Sequence, residues 1–127
     1  MIRKSITGIV KKNLGRGTRL GFPTANIHIA EENLDEGIYA ALTDYQATKY
    51  PSLAFIGAAE TFGEEDKKLE VYVLDFNRDL YGQKITVQLV EKLRGAKKFA
   101  SEEELIIQMK IDEQQARGFF KTYGRIE

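Results

Sequence analysis

The stretch from Gly15 to Ile27 contains residues whose types and spacing could bind a phosphorylated ligand. It reads Gly-Arg-Gly-Thr-Arg-Leu-Gly-Phe-Pro-Thr-Ala-Asn-Ile. Glycines let a backbone approach a ligand closely, and successive loop N–H groups can form an anion-binding concavity. Glycine combined with arginine therefore indicates a phosphate-binding loop. Its candidate residues are Gly15, Arg16, Gly17, Arg19, Gly21, Pro23, Thr24 and Asn26.

This loop differs from the common nucleotide-binding motifs. A P-loop ends in Gly-Lys followed by Ser or Thr, and a dinucleotide fingerprint opens a helix; neither pattern is present here. Pro23 ends any helix at Phe22, and the β-branched residues that follow predict a strand. In a strand, side chains two residues apart share a face, so the Thr24 hydroxyl and the Asn26 amide can converge.

Thr24 and Asn26 are also candidate metal ligands. Two neutral oxygens are too few for a metal cage, but Mg²⁺ usually binds through a few protein oxygens, waters and substrate phosphates. A magnesium–nucleotide complex therefore fits the pair better than a bare ion. The alternative is a glycine-rich turn in which both side chains bond to nearby backbone, as these residue types often do. The spacing alone does not decide between the two interpretations.

The composition predicts a single domain, 1–127. With 127 residues, 43% of them hydrophobic, the chain can bury one core but is too short for two ordinary domains. The 19 basic and 19 acidic residues cancel, which argues against nucleic acid or an anionic membrane as a partner. Cysteine is absent, which is compatible with a reducing cytosol, and no apolar run reaches membrane-spanning length. We expect a cytoplasmic monomer.

Hydrophobic alternation predicts six strands followed by helix. Six short strands at this spacing favour an antiparallel barrel or sandwich. Ser101 with Glu104 forms a capping box that predicts a helix start, and Asp112 with Gln115 is a candidate cap for a second helical segment. Whether this region holds one helix or two stays open. The predicted strands are Ser5–Lys11, Thr24–Ile29, Gly37–Thr43, Leu53–Ile56, Leu69–Phe76 and Lys84–Leu93.

Several motifs in one order resemble the riboflavin kinase family of bacteria and eukaryotes. The resemblance covers essentially the whole chain, and so many motifs in the right order rarely arise by chance. It implies a mainly β fold, a six-stranded antiparallel Greek-key barrel with a C-terminal helical segment. The matching motifs are Gly17 with Leu-Gly-Phe-Pro-Thr-Ala-Asn at 20–26, Gly37-Ile38-Tyr39, Thr61-Phe62-Gly63, Glu70 to Gly82, Leu93-Arg94, Lys98-Phe99 and the acidic helix start after Ser101.

The resemblance implies Mg²⁺-dependent transfer of the terminal phosphoryl of ATP to riboflavin, giving FMN and ADP. Glu70 falls where the family carries its catalytic glutamate, although its sequence context alone favours a solvated strand face over a cleft. Thr24 and Asn26 match the residues that hold magnesium and phosphate. Arg94 and Phe99 lie in the segment that resembles the family's flavin side.

Three positions depart from the family pattern: Thr18, Phe55 and Glu60 stand where the family tends to have arginine, asparagine and proline. Two other classes of function remain open. One is a flavin- or nucleotide-binding module without turnover. The other is a nucleic-acid-binding barrel, because similar barrels bind oligonucleotides through aromatic stacking. In many bacteria such a domain is fused to an adenylyltransferase that makes FAD; nothing here resembles that domain, so we expect no FAD synthesis.

Overall fold

The computed structural model describes residues 4–11, 24–29, 34–57 and 68–123. In this part of the chain, six strands precede one helix, in the predicted order. No helix within these ranges is long and apolar enough to cross a membrane. The elements are β1 (Lys4–Ile9), β2 (Ala25–His28), β3 (Gly37–Tyr45), β4 (Thr48–Gly57), β5 (Lys68–Val73), β6 (Lys84–Gly95) and α1 (Glu102–Tyr123).

The six strands form one antiparallel sheet in the order β1-β6-β3-β4-β5-β2. The meander β3-β4-β5 is followed by a strand, β6, that returns to lie beside β3, which is a Greek-key arrangement. The sheet curls so that its two edge strands meet, and the Lys11 amide donates to the Asn26 carbonyl at 2.8 Å. The predicted six-stranded antiparallel Greek-key barrel is therefore confirmed.

One face of the curled sheet forms the main core. Along β5, Leu69, Val71 and Val73 are buried, whereas Glu70 and Tyr72 point to the opposite face. Fully burying an aliphatic side chain of this size stabilises a fold by about 1.5–3 kcal/mol, so this alternation fixes which face of β5 points inward. Glu70 is consequently directed away from the main core.

The outer face of the sheet carries a second, smaller apolar cluster, against which α1 packs. Ala116 of the helix is fully buried there. The small side chain lets the helix approach the strands closely. This cluster covers the same face of β5 that carries Glu70. Its members are Ile38, Leu53, Leu74 and Ala116, with Phe55, Tyr72, Leu93 and Phe120 partly buried at its margin.

The C-terminal segment is one continuous helix of 22 residues. The capping box is present, since the Glu104 amide donates to the Ser101 hydroxyl at 3.2 Å. The expectation that Asp112 caps a second segment is wrong. Asp112 lies within the helix, where its buried carboxylate is paired with Arg94 of β6.

All six strands differ from their predicted bounds by up to five residues, and the differences in β4 and β6 have identifiable causes. β4 begins at Thr48 rather than Leu53, and it includes Pro51. The turn before it has Gln46 and Ala47 at φ 52° and 66°, which is the two-residue hairpin geometry usually taken by Asn-Gly. In β6, the pairing with β3 skips Val90, so Glu91 is exposed rather than sharing the buried face of Leu89 as simple alternation predicts.

Candidate active site

Pairing of β2 with β5 brings three of the predicted site residues together. Asn26 lies directly opposite Glu70 in the antiparallel register. The Thr24 hydroxyl donates to Glu70 Oε1 at 3.0 Å. Because directly opposed residues point to the same face of a sheet, a hydroxyl, an amide and a carboxylate form one polar group. We call these three residues the Thr-Asn-Glu group.

The Asn26 oxygen Oδ1 is buried and has no hydrogen-bond partner among the described residues. An unsatisfied buried acceptor costs about 1–3 kcal/mol, and such an atom in a native protein calls for an explanation, for example a bound water, an ion or a catalytic role. A neutral amide oxygen beside a hydroxyl and a carboxylate is the hard oxygen donor set that Mg²⁺ prefers. The residues present therefore fit a magnesium–phosphate ligand.

Glu70 is half-buried rather than fully solvated. Its other cross-strand neighbour is Phe55 of β4, one of the positions that depart from the family pattern. Phe55 lies in the outer apolar cluster, so Glu70 has a polar neighbour on one side and an apolar neighbour on the other. Glu70 therefore lies neither on a fully solvated face nor in a closed cleft. These were the two possibilities that the alternation of side chains along the strand left open.

The cross-strand register continues from Glu70 through the sheet to Arg94. Phe55 is opposite Ile38, and Ile38 is opposite Arg94. Four strand spacings of about 4.8 Å separate the ends of this row, which places Arg94 roughly 19 Å from Asn26 along the sheet surface. One face of the barrel thus carries the Thr-Asn-Glu group at one end and Arg94 at the other.

Arg94 is held by the helix. Its guanidinium donates from Nε and Nη2 to the two carboxylate oxygens of Asp112, both at 2.8 Å, and from Nη1 to the Gly95 carbonyl at 3.0 Å. Gln108 also donates to Asp112 at 3.0 Å. The guanidinium carbon lies 5.8 Å from the ring centroid of Phe99, which is buried. Arg94 and Phe99 therefore lie together, and Arg94 is bonded to the helix.

A second polar link joins α1 to β5 next to the Thr-Asn-Glu group. Burial, with the Glu113 carboxylate as a further cause, raises the pKa of the Tyr72 phenol. Arg117 donates to Glu113 at 2.8 Å and to both carboxylate oxygens of Asp75 at 3.1 Å. The Arg117 guanidinium lowers the pKa of the exposed Asp75 carboxyl. The helix is thus tied to the strand that carries Glu70.

The sequence did not single out Tyr72, Glu113 or the Arg94–Asp112 pair as a connection between helix and sheet. Asp112 is a charged residue at a position that the helix buries. This break in the pattern of polar and apolar residues is the one local signal, in the sequence, of a contact between helix and sheet. The remaining predicted phosphate-loop residues lie outside the described residues, as do Thr18 and Glu60. They are Gly15, Arg16, Gly17, Arg19, Gly21 and Pro23.

The structure thus defines a six-stranded antiparallel Greek-key barrel with a group of oxygen donors on its outer face. A family model described as "Flavokinase: Riboflavin kinase" matches residues 2–120. This chain therefore belongs to the riboflavin kinase family, as its motifs indicate.

Comparison with curated proteins gives the same family. The chain is 37% identical over 118 residues to the bifunctional riboflavin kinase/FMN adenylyltransferase of Escherichia coli K12, covering 91% of this chain and 38% of that protein. It is 37% identical over 108 residues to the RNA-binding riboflavin kinase RibR of Bacillus subtilis, covering 84% of this chain and 47% of that protein. The chain thus spans less than half the length of these relatives.

A solved structure supports the fold. The crystal structure of riboflavin kinase from Trypanosoma brucei matches with a TM-score of 0.62 and 22% identity, covering 93% of this chain and 80% of that chain. At this identity the likeness is one of fold alone.

Proposed function

We propose that this chain is a riboflavin kinase, which transfers the terminal phosphoryl of ATP to the ribityl 5′-hydroxyl of riboflavin. The observation that carries the proposal is the Thr-Asn-Glu group, with its Thr24–Glu70 hydrogen bond and the unpartnered Asn26 oxygen. Family membership supplies the identity of the two substrates. The products are FMN and ADP.

The chemistry asks the protein mainly for positioning, charge neutralisation and a proton acceptor. The 5′-oxygen forms a bond to the γ-phosphorus as the bond from that phosphorus to the β,γ-bridging oxygen breaks, and ADP leaves with the electron pair. Glu70 takes the hydroxyl proton. In this proposal Oε1 accepts the hydrogen bond from Thr24, and the second carboxylate oxygen accepts the proton of the substrate hydroxyl.

Thr24 and Asn26 would hold Mg²⁺ and the phosphates. Bound there, Mg²⁺ neutralises phosphate charge. The glycine loop before Thr24 would supply backbone N–H groups, and Arg16 and Arg19 its positive charge. Arg94 and Phe99, at the far end of the row, would contact the flavin.

Two alternatives define the outcomes of the test. A binding module without turnover would bind both substrates and make no FMN. One relative, RibR, is named as an RNA-binding protein, but this chain covers only 47% of it. We propose no nucleic-acid partner for this chain, since its 19 basic and 19 acidic residues cancel. We also propose that it acts as a cytoplasmic monomer.

The test is incubation of the purified protein with riboflavin, ATP and Mg²⁺, with the flavins separated by chromatography. We expect FMN and ADP in equal amounts, and no FMN after chelation of the metal with EDTA. Nucleotide and flavin binding without FMN would instead establish the non-catalytic module. Salt-sensitive binding of single-stranded RNA, in place of turnover, would establish the nucleic-acid-binding barrel.

A further inference from the structure

The joint between β1 and β2 lies next to the Thr-Asn-Glu group. These are the edge strands of the sheet, and β1 is paired along its length with β6, whereas β2 is paired with β5. Among the described residues, a single backbone bridge connects the two edges, from the Lys11 amide to the Asn26 carbonyl at 2.8 Å. We call this joint the β1–β2 seam. It fixes the backbone of Asn26 from the side opposite to Glu70.

Gly8 determines how closely the two strands approach at the seam. It lies between Ile6 and Val10 on the inward face of β1. A Cβ atom at this position would lie 2.6 Å from Cγ2 of Ile27 in β2. Real Cβ atoms essentially never make so short a contact, so Ile27 occupies the volume that a side chain at residue 8 would fill.

Ile27 has little freedom to move away. It is 2% exposed and packed in the main core, where interior packing leaves few voids. Its β-branched side chain is also stiff about χ1. To widen this contact from 2.6 Å to the 3.4 Å of ordinary packing, residue 8 and Ile27 must move apart by about 0.8 Å in total. Because Ile27 follows Asn26 directly, the shift displaces the residue that carries the unpartnered oxygen.

We propose that Gly8 is a positioning residue of the active site: its lack of a side chain lets the β1–β2 seam close, and the closed seam sets the position of Asn26 relative to Glu70. The inference rests on the proposed kinase function for its effect on rate. A misplacement of about 1 Å can cost about 10²-fold in rate, so the expected shift has a kinetic consequence.

The test compares Gly8→Ala with Gly118→Ala. Both substitutions add one methyl group, but Gly118 lies exposed on α1 and has no atom within 4 Å of the new Cβ. For Gly8→Ala we expect kcat to fall by about 10- to 100-fold and the Mg²⁺ concentration for half-maximal rate to rise. Gly118→Ala should retain the parental kinetics. Folded protein is verified by a cooperative thermal transition.

Lys11→Pro provides a second variant that does not alter the core. It removes the bridging N–H from an exposed residue. If the seam positions Asn26, this variant should show the same rise in Mg²⁺ requirement as Gly8→Ala. Parental kinetics in a folded Gly8→Ala protein would overturn the inference. If Gly8→Ala does not fold, parental kinetics in Lys11→Pro would overturn it.

Hydrogen exchange separates this inference from the proposed function. The Lys11 amide should lose at least about tenfold of its protection in Gly8→Ala and none in Gly118→Ala, because its acceptor has moved. If the parent protein makes no FMN, the kinase proposal fails. The exchange rate of the Lys11 amide alone then tests whether Gly8 lets the seam close. Unchanged protection of Lys11 in Gly8→Ala would refute the seam whatever the activity.

Discussion

Glu70 receives a hydrogen bond from Thr24 on one carboxylate oxygen, and in the proposed reaction its other oxygen takes the substrate proton. Glu70→Gln keeps the shape and an acceptor for Thr24 but removes the basicity. Loss of a general base costs about 10²–10⁴ in rate, and we expect about 10² here, because a loose phosphoryl-transfer transition state needs little nucleophile activation. Steady-state kinetics should show a fall in kcat with little change in either KM.

Glu70→Asp is the matched control for position. It keeps the charge but withdraws the carboxylate by about one methylene, so it should also be slow if orientation matters. A Glu70→Gln protein with the parental kcat would leave the reaction without its proposed base.

Asn26 offers a test that separates function from stability. Its Oδ1 is buried without a partner among the described residues, so Asn26→Ala removes an unsatisfied acceptor and should not lower Tm. The Mg²⁺ requirement should nevertheless rise and kcat should fall, as also for Thr24→Ala. Activity titrated against Mg²⁺, together with thermal unfolding, measures both effects.

Ser52→Ala is the control, since Ser52 is buried and its hydroxyl is bonded to Thr43 and to the Tyr50 carbonyl. It should lower stability by about 1–3 kcal/mol and leave the Mg²⁺ dependence unchanged. If Asn26→Ala instead behaves like Ser52→Ala, the asparagine serves the fold and not the ligand.

The alternation of side chains along a strand was sufficient to place Thr24 and Asn26 on one face, because it depends only on residues that are neighbours in the chain. It could not place Glu70 opposite Asn26, since the register between strands about 45 residues apart depends on pairing and not on either strand's own pattern. The family resemblance supplied Glu70 where local reasoning favoured a solvated face.

At the scale of the elements, two ion pairs tie α1 to the sheet in different environments. Asp112 is 2% exposed in its pair with Arg94, whereas Asp75 is 78% exposed in its pair with Arg117. Arg94→Ala leaves a buried carboxylate unpaired and should cost about 3–5 kcal/mol of unfolding free energy. Arg117→Ala should cost much less, because water already solvates the exposed Asp75 carboxylate. Urea unfolding of both variants measures the difference.

Similar losses in the two variants would show that burial does not distinguish these pairs. The Arg94 variant also bears on the flavin. If Arg94 contacts riboflavin as proposed, its KM for riboflavin should rise at temperatures where the variant remains folded, and Arg117→Ala should leave that KM unchanged.

Several boundaries of strands and turns could not be predicted from the local sequence, for identifiable reasons. Pro51 normally argues against a strand interior, so the first residues of β4 read as a loop. Ala47 in a left-handed conformation is a turn without the usual glycine or asparagine signal. By contrast, Ser101 and Glu104 marked the start of α1 correctly, because a capping box is complete within one turn.

At the scale of the whole molecule, the chain spans 38% of the bifunctional Escherichia coli relative. We expect these 127 residues to make FMN and no FAD. Incubation with FMN, ATP and Mg²⁺, followed by chromatography, checks this directly. Appearance of FAD from the purified protein would contradict it. The control for contaminating enzyme is a parallel purification from cells that lack this protein, incubated with the same substrates.

The strand order also determines when during synthesis the barrel can form. β1 pairs with β6, from Lys4 opposite Leu89 to Ile9 opposite Lys84. A ribosome adds about 5–20 residues per second, so the roughly 75 residues between Ile9 and Lys84 take on the order of 4–15 s. The meander β3-β4-β5 needs only neighbouring residues, but throughout that interval β1 lacks β6, the strand with which it pairs along its length. A nascent chain arrested before β6 therefore cannot complete the barrel.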